Sequence, residues 1–181
     1  DGTDSVIGGD GDDSLIGEDG SDTITGDAGN DTISGGNHHD NISGGDGNDS
    51  IDAGQSNDTV LAGNGDDTIN GGDGRDSLSG EAGNDLIFGG ADTDTLSGGD
   101  GNDSMTGQAG NDTVNGDNGD DTVLGGAGND SVSGNVGNDL VNGEGENDTV
   151  NGNEGDDTLF GGNGNDILRG DGTATGSNAA G

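Results

Sequence analysis

An apolar side chain returns at every ninth residue: Val6, Leu15, Ile24, Ile33, Ile42, Ile51, Val60, Ile69, Leu78, Ile87, Leu96, Met105, Val114, Val123, Val132, Val141, Val150, Leu159 and Leu168. Its immediate neighbours are mostly polar, so each triplet reads as a short strand with one side chain turned inward. Two residues before each apolar position stands an Asp, without exception and without insertion or deletion. The six residues preceding each triplet are rich in Gly and predict a turn. Gly at the first, second and fourth turn positions is expected to supply left-handed dihedrals at little steric cost. Two turns and two strands close a coil of eighteen residues. Coils stacked at strand spacing would make an all-β solenoid of two parallel sheets, roughly 45 Å long, with the apolar row as its only core.

The coil has two edges, and the Asp row divides between them. One edge carries Asp4, Asp22, Asp40, Asp58, Asp76, Asp94, Asp112, Asp130, Asp148 and Asp166. The other carries Asp13, Asp31, Asp49, Asp67, Asp85, Asp103, Asp121, Asp139 and Asp157. They are called here the odd and the even edge, after the order of the repeats.

Composition argues against this order on its face. Only 22% of the 181 residues are hydrophobic and 1% aromatic, with 46 Gly, no Pro and a net charge of −37. Low hydrophobicity with high net charge is the signature of a disordered chain. One apolar residue in nine cannot offset the ordering of nine backbones at about 1–2 kcal/mol each, so something besides burial must supply the difference. The charge excludes nucleic acid and anionic lipid as partners and leaves cations. No apolar run approaches a membrane span, so membrane insertion is not expected, and without Cys no disulfide can staple the chain. Lacking an initiator Met, the sequence reads as a piece of a longer or processed protein.

The repeating unit is Gly-Gly-x-Gly-(Asn/Asp)-Asp-(Thr/Ser)-U-x, with U apolar. It is cleanest at Gly44-Gly45-Asp46-Gly47-Asn48-Asp49-Ser50-Ile51 and again from Gly98, Gly99, Asp100, Gly101 and Asn102 to Asp103. Over residues 1 to about 170 the chain resembles the RTX (haemolysin-type calcium-binding) nonapeptide repeat family. That resemblance implies a right-handed parallel β-roll. It also implies Ca²⁺ cages shared by neighbouring turns on one edge, with the nineteen Asp residues named above as anionic ligands and turn carbonyls, such as those of Gly44–Asn48 and Gly98–Asn102, as the rest. Ten turns on one edge and nine on the other leave at most 17 junctions, and 17 dications would nearly cancel the charge.

Oxygen donors of this kind suit Ca²⁺, which accepts six to eight of them in flexible geometry, better than Mg²⁺. Zinc or iron would want His or Cys, and the only histidines, His38 and His39, are adjacent in one turn and expected at the surface. No Cys, Lys or Tyr is present and no His stands by a nucleophile, so the chain is not expected to be an enzyme.

The edges and faces are unequal. The fourth turn position is Gly throughout the even edge, but His38, Ser56, Asp92 and Glu146 occupy it on the odd edge, where Arg75 also lies. Those four turns should deviate in geometry or bind calcium more weakly. One sheet should expose Ile16, Leu86, Phe88, Leu124, Leu140 and Phe160, and the other only Ile7, Leu61 and Ile167. The period is lost after residue 170, so residues 1–170 form the roll and 171–181 a flexible Gly/Ala/Ser/Thr tail or linker.

Two functions fit. One is a calcium-triggered folding module of a secreted extracellular protein, which the family resemblance links to type I secretion. The other is a structural subunit of an extracellular filament, surface layer or matrix, associating end to end or through the face bearing Leu86, Phe88, Leu124, Leu140 and Phe160. Ice binding through Thr rows is disfavoured, because Ser, Asn and Leu interrupt those rows.

Overall fold

The structure, a computed structural model, describes residues 2–170 and 175–177. Its strands begin with β1 (Ser5–Asp10) and β2 (Ser14–Asp19) and recur every nine residues to β19 (Ile167–Arg169), followed by β20 (Thr175–Ser177). The odd-numbered strands form one ten-stranded parallel sheet and the even-numbered strands the other. Register is one coil of eighteen residues: Ser50 pairs with Thr68, Ile51 with Ile69 and Asp52 with Asn70. No helix occurs among the described residues. The fold is therefore the expected all-β solenoid of two parallel sheets.

The strands are longer than the sequence suggested. From β1 to β17 (Thr149–Glu154) each has six residues, not three, because the first three turn positions continue the ladder. Gly54 pairs with Gly72, and Gln55 with Asp73, in the same register as the triplet before them. The reason lies in the stacking. Backbone groups at the corners can bond only to the coils above and below, so pairing extends as far as identical coils remain parallel.

Along each six-residue strand two residues point inward, the U residue and the first turn residue, as in Thr32–Asn37, where Ile33 and Gly35 are buried. The U side chains from Leu15 to Leu159 are buried in one continuous core, with Val6 and Leu168 packed against its ends. Ala53 and Ala62 join them, both at first positions.

The role expected for the first Gly is corrected by this geometry. First-position glycines such as Gly26 and Gly44 are absent from the positive-φ residues, whereas second-position residues are in the left-handed region whether they are Gly45 or Gly63 or, without glycine, Glu18, Asp27, Glu81 or Gln108. What the first position requires is the lack of a side chain, for the reason given next.

Of the tail, Thr175–Ser177 pairs in parallel with β18 (Thr158–Phe160). The remainder of the expected linker, 171–174 and 178–181, lies outside the described residues.

Candidate metal centre

The Asp row lies inside the corners of the coil. From Asp22 to Asp157 every member is at most 4% exposed, while Asp13 and Asp166 near the ends are half-buried and Asp4 is exposed. Each carboxylate uses its two oxygens differently. The Oδ1 atom accepts the backbone N–H of the Asp one coil earlier: Asp31 N–H to Asp49 Oδ1 at 2.8 Å, Asp94 to Asp112 at 2.8 Å, and so on along both edges from Asp4 to Asp148. The Oδ2 atom is buried and has no hydrogen-bond partner, from Asp13 to Asp148 and at Asp166.

A buried carboxylate oxygen without a donor is costly, and a whole row of them calls for a common explanation. The first turn residue shows what lies around it. A Cβ built on Gly8 would stand 2.8 Å from Asp13 Oδ2 and 2.8 Å from the carbonyl oxygen of Gly26 in the next coil. On Gly89 it would stand 2.7 Å from both Asp94 Oδ2 and the Gly107 carbonyl. At the glycine corners from Gly8 to Gly125, then, a carboxylate oxygen and a carbonyl of the next coil both close on the point that a side chain would occupy.

Burial pushes the carboxyls of Asp58, Asp67 and Asp94 up to about 7. It pushes those of Asp85, Asp121 and Asp130 up to about 6. The N–H donated from the preceding coil opposes this rise, and neighbouring Asp charges add to it. A nearby cation would reverse the preference for the neutral form.

Of the turn carbonyls expected as ligands, those of Gly44 and Gly98 face Asp31 Oδ2 and Asp85 Oδ2. Those of Asp46 and Asp100 instead accept the N–H of Gly29 and Gly83. The Gly45 and Gly47 carbonyls point at Gly63 and Gly65 of the next coil, and Gly99 lies close to the Glu81 carbonyl. Gly101 donates its N–H to the Asn118 carbonyl. Among the described residues no three acidic, His or Cys side chains converge on one point. The donor set at each corner is thus one carboxylate supplemented by backbone oxygen, a hard-cation chemistry and not a zinc one.

The fifth turn position, unremarked beyond its place in the repeat unit, carries a second ladder. Its side-chain oxygen accepts the backbone N–H of the fifth residue one coil later. On the even edge this ladder is unbroken through Asp12, Asn30, Asn48, Asp66, Asn84, Asn102, Asp120, Asn138 and Asp156. On the odd edge Thr3, Ser21, His39, Arg75 and Thr93 stand in the row and have no side-chain carbonyl oxygen to offer. His39 partly substitutes: its Nδ1 lies 2.9 Å from the Asn57 carbonyl oxygen and 3.1 Å from the Asn57 backbone N, and the tautomer decides which of the two it bonds. Both histidines and Arg75 are exposed, and the Arg75 N–H bonds to Asn57 Oδ1.

The four odd-edge exceptions at the fourth position do differ in geometry. Their φ values are 71 to 82°, against 110 to 151° for the glycines with positive φ at that position.

The family model for the RTX calcium-binding nonapeptide repeat matches residues 1–33, 34–69, 62–96, 88–123, 97–132, 115–150 and 142–173. The chain belongs to that family. RTX repeats are calcium-binding, so the cation implied by the oxygen donors of this RTX chain is Ca²⁺. A solved structure described as a hyperactive, Ca²⁺-dependent, beta-helical antifreeze protein from an Antarctic bacterium is similar at 25% identity and a TM-score of 0.46. The similarity covers 97% of this RTX chain and 64% of that one, so the chain spans less than two thirds of that protein. No curated protein matches the chain.

Proposed function

We propose that this chain is a calcium-dependent folding module of a secreted extracellular protein, with ions held at the junctions between stacked turns, up to about 17 in number. The observation that carries the reading is the row of buried Asp Oδ2 atoms, joined at the glycine corners from Gly8 to Gly125 by a carbonyl of the next coil. Bound calcium supplies positive charge and coordination for those oxygens. The chain's own residues do the rest. From Asp22 to Asp166 the Oδ1 atom fixes the carboxylate by holding an N–H of the coil before, the first-position Gly lets the oxygens approach, and the first-position carbonyl of the next coil adds a second donor.

The ligands in this reading are the nineteen Asp residues from Asp4 to Asp166 with first-position carbonyls. The module is residues 1–170, followed by a segment 171–181 of which Thr175–Ser177 extends the even-strand sheet, and it is not an enzyme. With 37 uncompensated negative charges and one core side chain per repeat, the calcium-free chain stays extended at neutral pH. A chain that folds only on meeting calcium suits export in an unfolded state and folding outside the cell.

Circular dichroism tests the proposal. β structure should appear between roughly 10⁻⁴ and 10⁻³ M calcium, the range of extracellular modules. An unchanged β signal in excess EDTA at neutral pH would refute it.

A second reading, a subunit of an extracellular assembly, is favoured by one face. Leu86, Leu140 and Phe160 are 38–39% exposed on the even-strand sheet, with Phe88 and Leu124 half-buried beside them. Long rods in electron micrographs with calcium would favour the assembly, and single rolls the module.

A further inference from the structure

We infer that the coil running from Ser50 to Asp67 interrupts the calcium ladder on both edges at once, because Ala53 and Ala62 place a methyl group where, at the glycine corners, the Asp Oδ2 and the next coil's carbonyl close in on the backbone. The inference rests on the calcium reading above.

The first turn position is Gly from Gly8 to Gly161 except at these two residues. Both are fully buried. Neither has a positive φ, so alanine fits the backbone there without strain. The difference is in the space. At the glycine corners a Cβ would lie within 2.8 Å of the turn's own Asp Oδ2, far inside the 3.5–4.0 Å at which nonbonded heavy atoms settle. At Ala53 and Ala62 the Cβ is present. The Asp58 and Asp67 carboxylates, or the coil that follows, must therefore yield, and the two oxygens can no longer close on one ion.

Ala53 precedes Asp58 on the odd edge and Ala62 precedes Asp67 on the even edge, so the two interruptions sit in consecutive half-coils. They are confined to that level. The carbonyls of Ala53 and Ala62 still face Asp40 Oδ2 and Asp49 Oδ2 of the coil before, so those corners keep both oxygens. The Asp ladder also continues, from Asp58 N–H to Asp76 Oδ1 at 2.8 Å and from Asp67 N–H to Asp85 Oδ1 at 2.8 Å. Toward the coil that follows, this coil is thus joined by hydrogen bonds alone, with two methyl groups added to the core, while its junction with the coil before keeps the metal.

Native mass spectrometry at saturating calcium, which counts ions per chain, tests this. The double variant Ala53→Gly/Ala62→Gly should carry two more ions than the wild type. Gly98→Ala/Gly107→Ala should carry two fewer while keeping its β signal, since alanine is already accommodated at this position twice. An ion count unchanged by Ala53→Gly/Ala62→Gly overturns the inference but leaves the calcium reading standing, as does an unchanged count in a folded Gly98→Ala/Gly107→Ala chain. A wild-type chain that takes up no calcium overturns both. If the Gly98→Ala/Gly107→Ala chain fails to fold, the alanine-to-glycine variant alone decides.

Discussion

Asp85 donates its backbone N–H to Oδ1 of Asp103, exactly one coil further along, at 2.7 Å, while Oδ2 of Asp103 stays buried without a partner. One carboxylate thus performs two separable tasks, closing a backbone donor and presenting an oxygen to the shared space.

Separating those tasks gives the first prediction. Asp103→Asn keeps a carbonyl oxygen for the Asp85 N–H but loses the charge, so it should lose one calcium ion and remain folded. Asp103→Ala loses both and leaves the Asp85 N–H unpaired, at a further cost of about 1–3 kcal/mol. Hydrogen exchange should show the damage confined to adjacent coils, because solenoid repeats touch mainly their neighbours. Loss of all calcium binding from either change would contradict a local cage.

The raised carboxyls predict an acid-folded state. A group whose folded pKa lies above its unfolded 3.8 contributes stability that is fully present below 3.8. That contribution is lost as pH rises through about 6 for Asp85, Asp121 and Asp130, and through about 7 for Asp58, Asp67 and Asp94. In calcium-stripped buffer, β structure should therefore be favoured near pH 4 and lost towards pH 7. With calcium present the dependence reverses, since ligation needs the carboxylate ionised. A metal-free chain whose β signal is greater at pH 7 than at pH 4 would show that burial does not govern these carboxyls.

The exposed face yields a third expectation. If sheet-to-sheet association occurs, Leu140→Ser/Phe160→Ser should abolish it without altering calcium uptake, because neither side chain belongs to the core. Sedimentation with calcium distinguishes the outcomes: a wild type that is already monomeric leaves no role for this face in assembly.

The sequence made the apolar and Asp rows legible because each depends on a side chain, and side chains repeat visibly. Strand length was hidden in glycine, which looks the same whether a backbone needs a positive φ or a corner needs an empty space. Gly45 serves the first need and Gly44 the second. Only substitutions separate them. Glu18 and Asp27 show that the second position tolerates side chains in the left-handed region, while Ala53 shows an extended first position. The Asn and Asp ladder at the fifth position was visible as a recurring residue type, but its role depends on which amide lies one coil away, as Asn48 Oδ1 meets the Asp66 N–H. Spacing along the chain cannot show that.

The two edges should differ in affinity, and this is the last prediction. On the even edge every fourth position is Gly and the fifth-position ladder is continuous, so each fifth residue is held by its neighbours; positive φ at non-glycine second positions occurs on both edges, at Asp27, Glu81, Asp117, Asn135 and Asn153 here and at Glu18, Gln108 and Glu144 on the other. On the odd edge His38, Ser56, Asp92 and Glu146 adopt φ values of 71 to 82°, which costs non-glycine residues about 1–2 kcal/mol each. That strain weakens the folded, ion-holding form of those turns relative to the open one. Calcium titration should resolve a tighter and a weaker class of sites, and replacing the four residues by Gly should shift the weaker class toward the tighter. The counter-effect is specific: Asp92 or Glu146 could lend a carboxylate to the ion, and Glu146 Oε2 already accepts the Gly128 N–H at 3.0 Å. Making His38→Gly/Ser56→Gly separately from Asp92→Gly/Glu146→Gly isolates the backbone effect, since neither His38 nor Ser56 carries a carboxylate. A single class of sites, unaltered by His38→Gly/Ser56→Gly, would show that the ion is indifferent to the fourth position.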